Sequence, residues 1–315
     1  MRIISKQRMV SCLLCICALF SFRLTHAQTE HDAIMMKKDQ WCNGATYMYS
    51  KWDTYWEGTF KRDNQNIGTL TTQAVMYMTN YGITDKLNIM GGLPYVWTKA
   101  SAGTLHSMKG FQDASLYLKW KSYTTKVAKG DLSVFVVGGV STPVSNYVID
   151  FLPLSIGLGS TNLTGRALVD YQKGIFFSTI SGAYVWRSKV KLDRTSYYTT
   201  EMHFTNEVQM PDMATYHISA GIRKKYVVAE LLFTGMKTLG GFDIRKNDMP
   251  FPSNEMNSSA IGAHVKYTLP FNTHIELIAD GSYVVHGRNV GQSTGFGIGG
   301  YYIFSFKHKS SNSSK

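Results

Sequence analysis

The chain is poor in cysteine, in proline and in long apolar runs. It has 315 residues and four cysteines. Three of these, Cys12, Cys15 and Cys17, lie near the start, so Cys42 is left alone and an intrachain disulfide framework is excluded. Seven prolines against 28 glycines without a three-residue period exclude a collagen, and 44% hydrophobic residues exclude a disordered chain. After Phe22 no apolar run reaches the roughly 20 residues of a spanning helix. The sequence holds no phosphate loop, no dinucleotide glycine motif, no Cys/His zinc spacing and no His-Glu-x-x-His. No cofactor, metal or catalytic residue is therefore expected. Four basic residues of the +12 balance lie in the first 27 residues, and the others are spread over turns and strand ends without a basic-aromatic cluster, which argues against nucleic acid and for contact with anionic lipid headgroups.

The first 27 residues read as an address. Arg2, Lys6 and Arg8 precede an apolar run from Met9 to Phe22, and Thr25-His26-Ala27 supplies a small residue for cleavage. That is the layout of a secretory signal peptide cleaved after Ala27. Arg23 ends the run too early for a spanning helix, and no small residue precedes Cys15 or Cys17 as a lipoprotein signal would need.

What the rest contains is aromatic and alternating. Nineteen Tyr and sixteen Phe suit pleated, half-buried surfaces better than helical bundles. From Leu87 to Trp97 the odd positions are apolar, and Phe176, Ile180, Tyr184 and Trp186 share one face of a segment whose other face carries Thr179 and Ser181. Period-two alternation marks strands with two unlike faces. About twelve such segments follow, near 45–56, 70–81, 86–97, 111–122, 131–142, 160–172, 175–187, 208–223, 226–237, 258–270, 273–287 and 294–307. Short connections alternate with longer ones at 57–69, 98–110, 143–159, 188–207 and 238–257, and a shorter one at 288–293. An even strand count with alternating loop lengths predicts an all-β, antiparallel, up-and-down transmembrane β-barrel of about twelve strands in the outer membrane. The barrel spans 45–307, after a periplasmic lead at 28–44 and before a polar tail at 308–315. A soluble β-sandwich would also alternate. Aromatics near strand ends, Tyr95 and Trp97, Tyr184 and Trp186, Tyr301 and Tyr302, favour the barrel, where they form interfacial girdles.

Two stretches carry a family resemblance. Tyr81-Gly82-Ile83-Thr84-Asp85, followed by Leu93-Pro94-Tyr95, and Gly110-Phe111-Gln112-Asp113 leading into Leu116-Tyr117-Leu118-Lys119-Trp120 resemble the outer-membrane proteins of the meta-pathway of phenol degradation family. The resemblance is clearest over 70–145. It implies a small-molecule channel or transporter, often assumed to pass hydrophobic or aromatic compounds. The chain departs from that pattern at Ser141-Thr142-Pro143-Val144 and at Gln112, and in lacking a terminal aromatic.

Alternation also assigns faces. A charge at the bilayer midplane on the lipid side costs about 2–4 kcal/mol, so polar sets should point inward. This nominates Asp113, Lys119, Arg166, Asp170, His217, Glu230, His264, Lys266, Glu276 and Asp280 as lumen-lining residues. With a tight turn at Pro270-Phe271-Asn272, Lys266 and Glu276 would face each other. Paired charges tuning the passage of solutes is one outcome; charges that plug the lumen is the other, since twelve strands enclose less than the sixteen of open porins. Two other classes are open. Tyr216-His217-Ile218-Ser219 with Glu230 is the cheap pattern of a barrel lipid hydrolase, although parity points His217 and Ser219 away from lipid. A binding barrel would display its long loops to a partner. The expected partners of a channel are outer-membrane lipids and a small-molecule solute.

Overall fold

The computed structural model describes residues 29–245 and 248–306; the expected signal peptide and polar tail lie outside them. The barrel strands are β1 Gln40–Trp52, β2 Leu70–Thr84, β3 Leu87–Ala100, β4 Asp113–Val127, β5 Gly130–Pro143 and β6 Asn162–Lys173. They continue as β7 Phe176–Arg187, β8 Met213–Arg223, β9 Val227–Thr238, β10 Asn257–Thr268, β11 Ile275–Arg288 and β12 Thr294–Ser305. Each pairs antiparallel with its sequence neighbours, and β1 pairs with β12 from Gln40↔Ser305 to Lys51↔Thr294. The ring is closed. Closure is the one β arrangement that leaves no edge and no unpaired backbone row facing hydrocarbon.

The alternation seen in the sequence sorts the side chains. On β7, Ile180 is 57% exposed while its neighbours Thr179 and Ser181 are buried. On β10, Ile261 and Val265 are exposed while Lys266 and Thr268 are buried. The outward wall is thus an apolar band of Leu116, Leu118, Val136, Val169, Ile180, Ile218, Ile261 and Ile298. Aromatics stand at both rims. Trp41, Trp120, Tyr123, Phe176 and Tyr302 are exposed at the short-turn end; Phe111, Tyr184 and Trp186 are exposed at the other. Tyr301 departs from the expected girdle. It is buried inside, with its hydroxyl 2.7 Å from Thr46 Oγ1, because it has the opposite parity to Tyr302.

Boundaries moved where loops carry structure of their own. The first strand starts at Gln40 instead of 45, and Thr54–Glu57 leaves it to pair with Phe60–Asp63 in a small hairpin. Glu207-Val208 pairs with Val190-Lys191 within a loop, so β8 begins at Met213 rather than 208.

The long loops fold over their end of the barrel. Ile149, Val190, Leu192, Tyr197, Val208 and Met210 form an apolar cluster joined by Phe251, drawn from three loops. The 144–161 loop turns inward. Leu154 is fully buried, its carbonyl accepting from Thr98 Oγ1 at 2.6 Å, and Ile156 packs on Ala74 and Val96. Asn289, in the left-handed region that asparagine tolerates, ties neighbouring loops: its amide donates to Asp243 and to the Glu255 carbonyl, both at 2.7 Å, and its Oδ1 accepts from Gly58 N at 2.7 Å.

If the outer wall meets hydrocarbon, Ile180→Arg should destabilise the barrel by about 2–4 kcal/mol in equilibrium unfolding from lipid bilayers. A change below about 0.5 kcal/mol, the size usual for a surface position of a soluble protein, would place this wall in water.

Candidate functional site

Part of the expected N-terminal lead packs inside the barrel. Residues 29–36 run across the lumen at the short-turn end, where Ala33 and Met35 pack on Phe135, Val137 and Leu168, and Met36 packs on Cys42, Tyr301 and Ile303. Lys119 holds this segment. Fully buried, its Nζ donates to the carbonyls of Thr29 (2.9 Å) and Ile34 (3.0 Å) and to Asp32 Oδ1 (3.0 Å). An ammonium cut off from water needs its three donors filled, and one segment fills all three.

The residues behind the family resemblance serve the same purpose. A Cβ on residue 82 would lie 2.0 Å from the Lys37 carbonyl, so only glycine lets the incoming chain pass β2. Tyr81 Oη donates to Asp39 at 3.2 Å, Lys38 N donates to Asp85 Oδ1 at 3.0 Å, and Asp39 N donates to the Gly82 carbonyl at 2.9 Å.

Above the segment lies a cavity of about 710 Å³. Arg166, His217, Glu230, His264, Lys266 and Asp280 line it, together with Glu30, His31 and Asp32 of the segment. Arg166 donates to Ser181 Oγ at 3.1 Å. The His217 ring stacks on that of His31, centroids 5.5 Å apart. His264 Nδ1 lies 3.1 Å from Glu230 Oε1. The remaining nominated residues take other places. Asp170 is clamped near the turns by both terminal nitrogens of Arg223, each at 2.9 Å, and by Thr179 at 2.6 Å. Asp113 accepts from Tyr147 Oη at 2.7 Å, anchoring the 144–161 loop. Glu276 is fully buried and accepts from Thr268 Oγ1 at 3.2 Å. Residues 269–274 make a longer turn than the tight one expected, so Lys266 stands opposite Ile278 and Glu276 opposite Thr268, which sets the two on a diagonal rather than directly opposite each other.

The lumen is less polar than alternation suggested. Met48, Met76, Met78 and Met90, with Tyr117 and Tyr301, make a thioether and aromatic wall facing the ionisable one. Met76 and Met78, two apart on one strand, share the inward face that the period already implied. A second cavity of about 340 Å³ continues beneath the 144–161 loop, lined by Thr98, Ser155 and Ile156. Among the residues lining the first cavity, the carboxylates Glu30, Asp32, Glu230 and Asp280 outnumber Arg166 and Lys266, while Asp170 and Arg223 neutralise each other.

The hydrolase arrangement is not assembled. Ser219 is buried and pairs with Leu232, Glu230 pairs with Gly221 and takes His264, and His217 turns to His31. His217, Ser219 and Glu230 therefore do not converge at the lipid face.

No family model matches the sequence, and no curated sequence relative does. Among solved structures, the chain is similar to an outer membrane channel from Pseudomonas putida F1, with a TM-score of 0.68 at 13% identity over 89% of this chain and 100% of that one. The two share a fold. Weaker likenesses are to the translocator domain of the autotransporter NalP from Neisseria meningitidis (TM-score 0.45, 10% identity, 95% of each chain) and to the TodX monoaromatic hydrocarbon channel (0.41, 8%, 86% of this chain and 91% of that one).

Two outcomes test the docked segment. Lys119→Met removes the ion-pair partner of the half-buried Asp32 and the donor to the Thr29 and Ile34 carbonyls, which would cost about 1–3 kcal/mol if the segment stayed. Protease cutting near residue 37 should therefore appear in the variant and not in the parent; equal resistance would dismiss Lys119 as the anchor. The second is pH. Burial alone would raise the Glu30 carboxyl, but the His31 imidazole 2.9 Å away and Arg166 hold it at about 2, against an ordinary 4.5. Asp32 is likewise held well below the usual carboxylate range, against its burial, by Lys119 and then Lys266. Depressed carboxyls stabilise docking fully above their free values and lose that contribution as pH falls through the bound ones. Amide protection at 30–36, taken relative to the intrinsic exchange rate at each pH, should thus fall between pH about 4.5 and about 2, and constant protection there would refute the ionised pairing.

Proposed function

We propose that this chain is an outer-membrane channel for the passive movement of small molecules, exported by a signal peptide cleaved after Ala27. The observation that carries the reading is the combination of an apolar outer wall with two successive cavities inside one closed ring. A barrel serving only as a rigid body gains nothing from hollow space, since filled interiors are the more stable state. The fold shared with an outer membrane channel agrees with this. Hydrophobic or aromatic solutes suit the methionine and tyrosine wall, because thioethers are polarisable and adapt to varied apolar shapes. That class also matches what the resemblance to the phenol-degradation family implies. In this reading, residues 29–36 set the resting width at the short-turn end. Lipids bind the outer band, and the chain performs no chemistry of its own.

The test is single-channel conductance in a planar bilayer, comparing residues 28–315 with a chain beginning at Lys37. Discrete steps should be seen for the longer chain and larger steps for the shorter. Stable insertion of both without steps would sink the channel reading in favour of a plugged, structural barrel.

A further inference from the structure

Met48, Met76, Asp280 and Ser282 line both cavities, so a solute moving between the two crosses the waist that these four residues make. Their arrangement follows from strand register. Met48 of β1 stands opposite Gly297 of β12, and Gly297 stands opposite Asp280 of β11. A Cβ on residue 297 would lie 2.5 Å from Asp280 Oδ1. Glycine therefore opens a notch in which the carboxylate lies, over the strand that separates it from the methionine. On the other side Asp280 is in register with His264, whose Nδ1 is engaged by Glu230 at 3.1 Å. Among the described residues Asp280 accepts no hydrogen bond and joins no ion pair, in contrast to Asp32, Asp113 and Asp170. Its charge faces open cavity.

We propose that this waist binds amphiphilic organic cations, a primary ammonium resting on the Asp280 carboxylate and an aryl or alkyl body lying on Met48 and Met76. The inference rests on the channel reading and names a solute class for it. An ammonium on a carboxylate makes charge-assisted hydrogen bonds, stronger than neutral ones, and leaves no ion stranded in the lumen. Thioether sulfur makes favourable contact with aromatic rings, which supplies the second half of the recognition. A bare metal cation would use only the first half. A neutral aromatic would use only the second, and an aromatic carboxylate would be repelled.

The experiment is titration of benzylammonium into the refolded chain, residues 28–315, in detergent by calorimetry, and separately into the bilayer current. Saturable binding is expected, with benzyl alcohol and benzoate at least tenfold weaker and equimolar potassium failing to compete. Asp280→Asn should weaken benzylammonium at least tenfold while leaving benzyl alcohol unchanged. Gly297→Ala, which keeps the charge but fills the notch, should also weaken it, and provides the answer if Asp280→Asn does not refold. Equal affinity of either refolded variant, equal affinity for benzoate, or displacement by equimolar potassium would overturn the site. Conductance without benzylammonium binding would remove the site and leave the channel. Binding without conductance would keep the site and remove the channel.

Discussion

The pairing of β1 with β12 is the constraint on which everything else depends. Twelve hairpin-connected strands without it would be an open sheet with two long edges, each a row of unpaired amides and carbonyls. In hydrocarbon such a row has no water to turn to. Once Gln40–Lys51 closes on Thr294–Ser305, every inward side chain faces an enclosed space and every outward one faces the surroundings. Burial then acquires a meaning that differs from that in a soluble protein. Ile180 and Ile298, at 57% exposure each, are at home on the outer wall, whereas Lys119 and Glu276 are buried because the lumen is crowded. The usual rule that apolar residues go inside is inverted by topology, not by composition.

That inversion explains what was legible in the sequence. Strand number, hairpin order and facing all follow from a period of two, and a slip of one residue would have turned Lys266 and Glu276 to the lipid. Boundaries were less legible wherever a loop contains its own pairing, as at Thr54–Glu57 and Glu207-Val208, since a short loop hairpin alternates as a barrel strand does. The interior was half legible. Alternation names the inward residues, but inward methionines look like core in any fold. Only closure shows Met48, Met76, Met78 and Met90 lining one cavity. Pairings between strands that are not adjacent were not legible at all. Asp170 with Arg223 joins β6 to β8, and no sequence spacing anticipates a contact between strands that are not neighbours.

The least expected element was the lead. Glu30, His31 and Asp32 read as a polar stretch after a cleavage site, with no period to mark them. Their place becomes intelligible from the other side, because Lys119 projects inward from β4 with three donors and must find three acceptors. A barrel of this width could have filled that space with large side chains from the strands. Using a separate segment instead leaves the interior divisible: the ring can keep its backbone pairing whether or not residues 29–36 are seated. The turn motif Tyr81-Gly82-Ile83-Thr84-Asp85 fits that division, holding the chain at Lys38 and Asp39 while the residues before them rely on Lys119.

The same logic distinguishes two kinds of charge within one lumen. Asp32, Asp113, Asp170 and Glu276 are each met by a donor and act as joints between segment, loop and wall. Removing a joint leaves its partner buried and unsatisfied, which is why such groups are poorly suited to binding a transient solute. A group that is to exchange partners must instead sit where the unoccupied state is not ruinous, beside enough open space for water to serve it. Asp280 meets that condition, since it opens on two cavities and lies in the notch that Gly297 leaves. Strand register thus sets an exchangeable carboxylate among fixed ones, and the row Met48, Gly297, Asp280, His264, Glu230 places it between an apolar surface and a hydrogen-bonded pair.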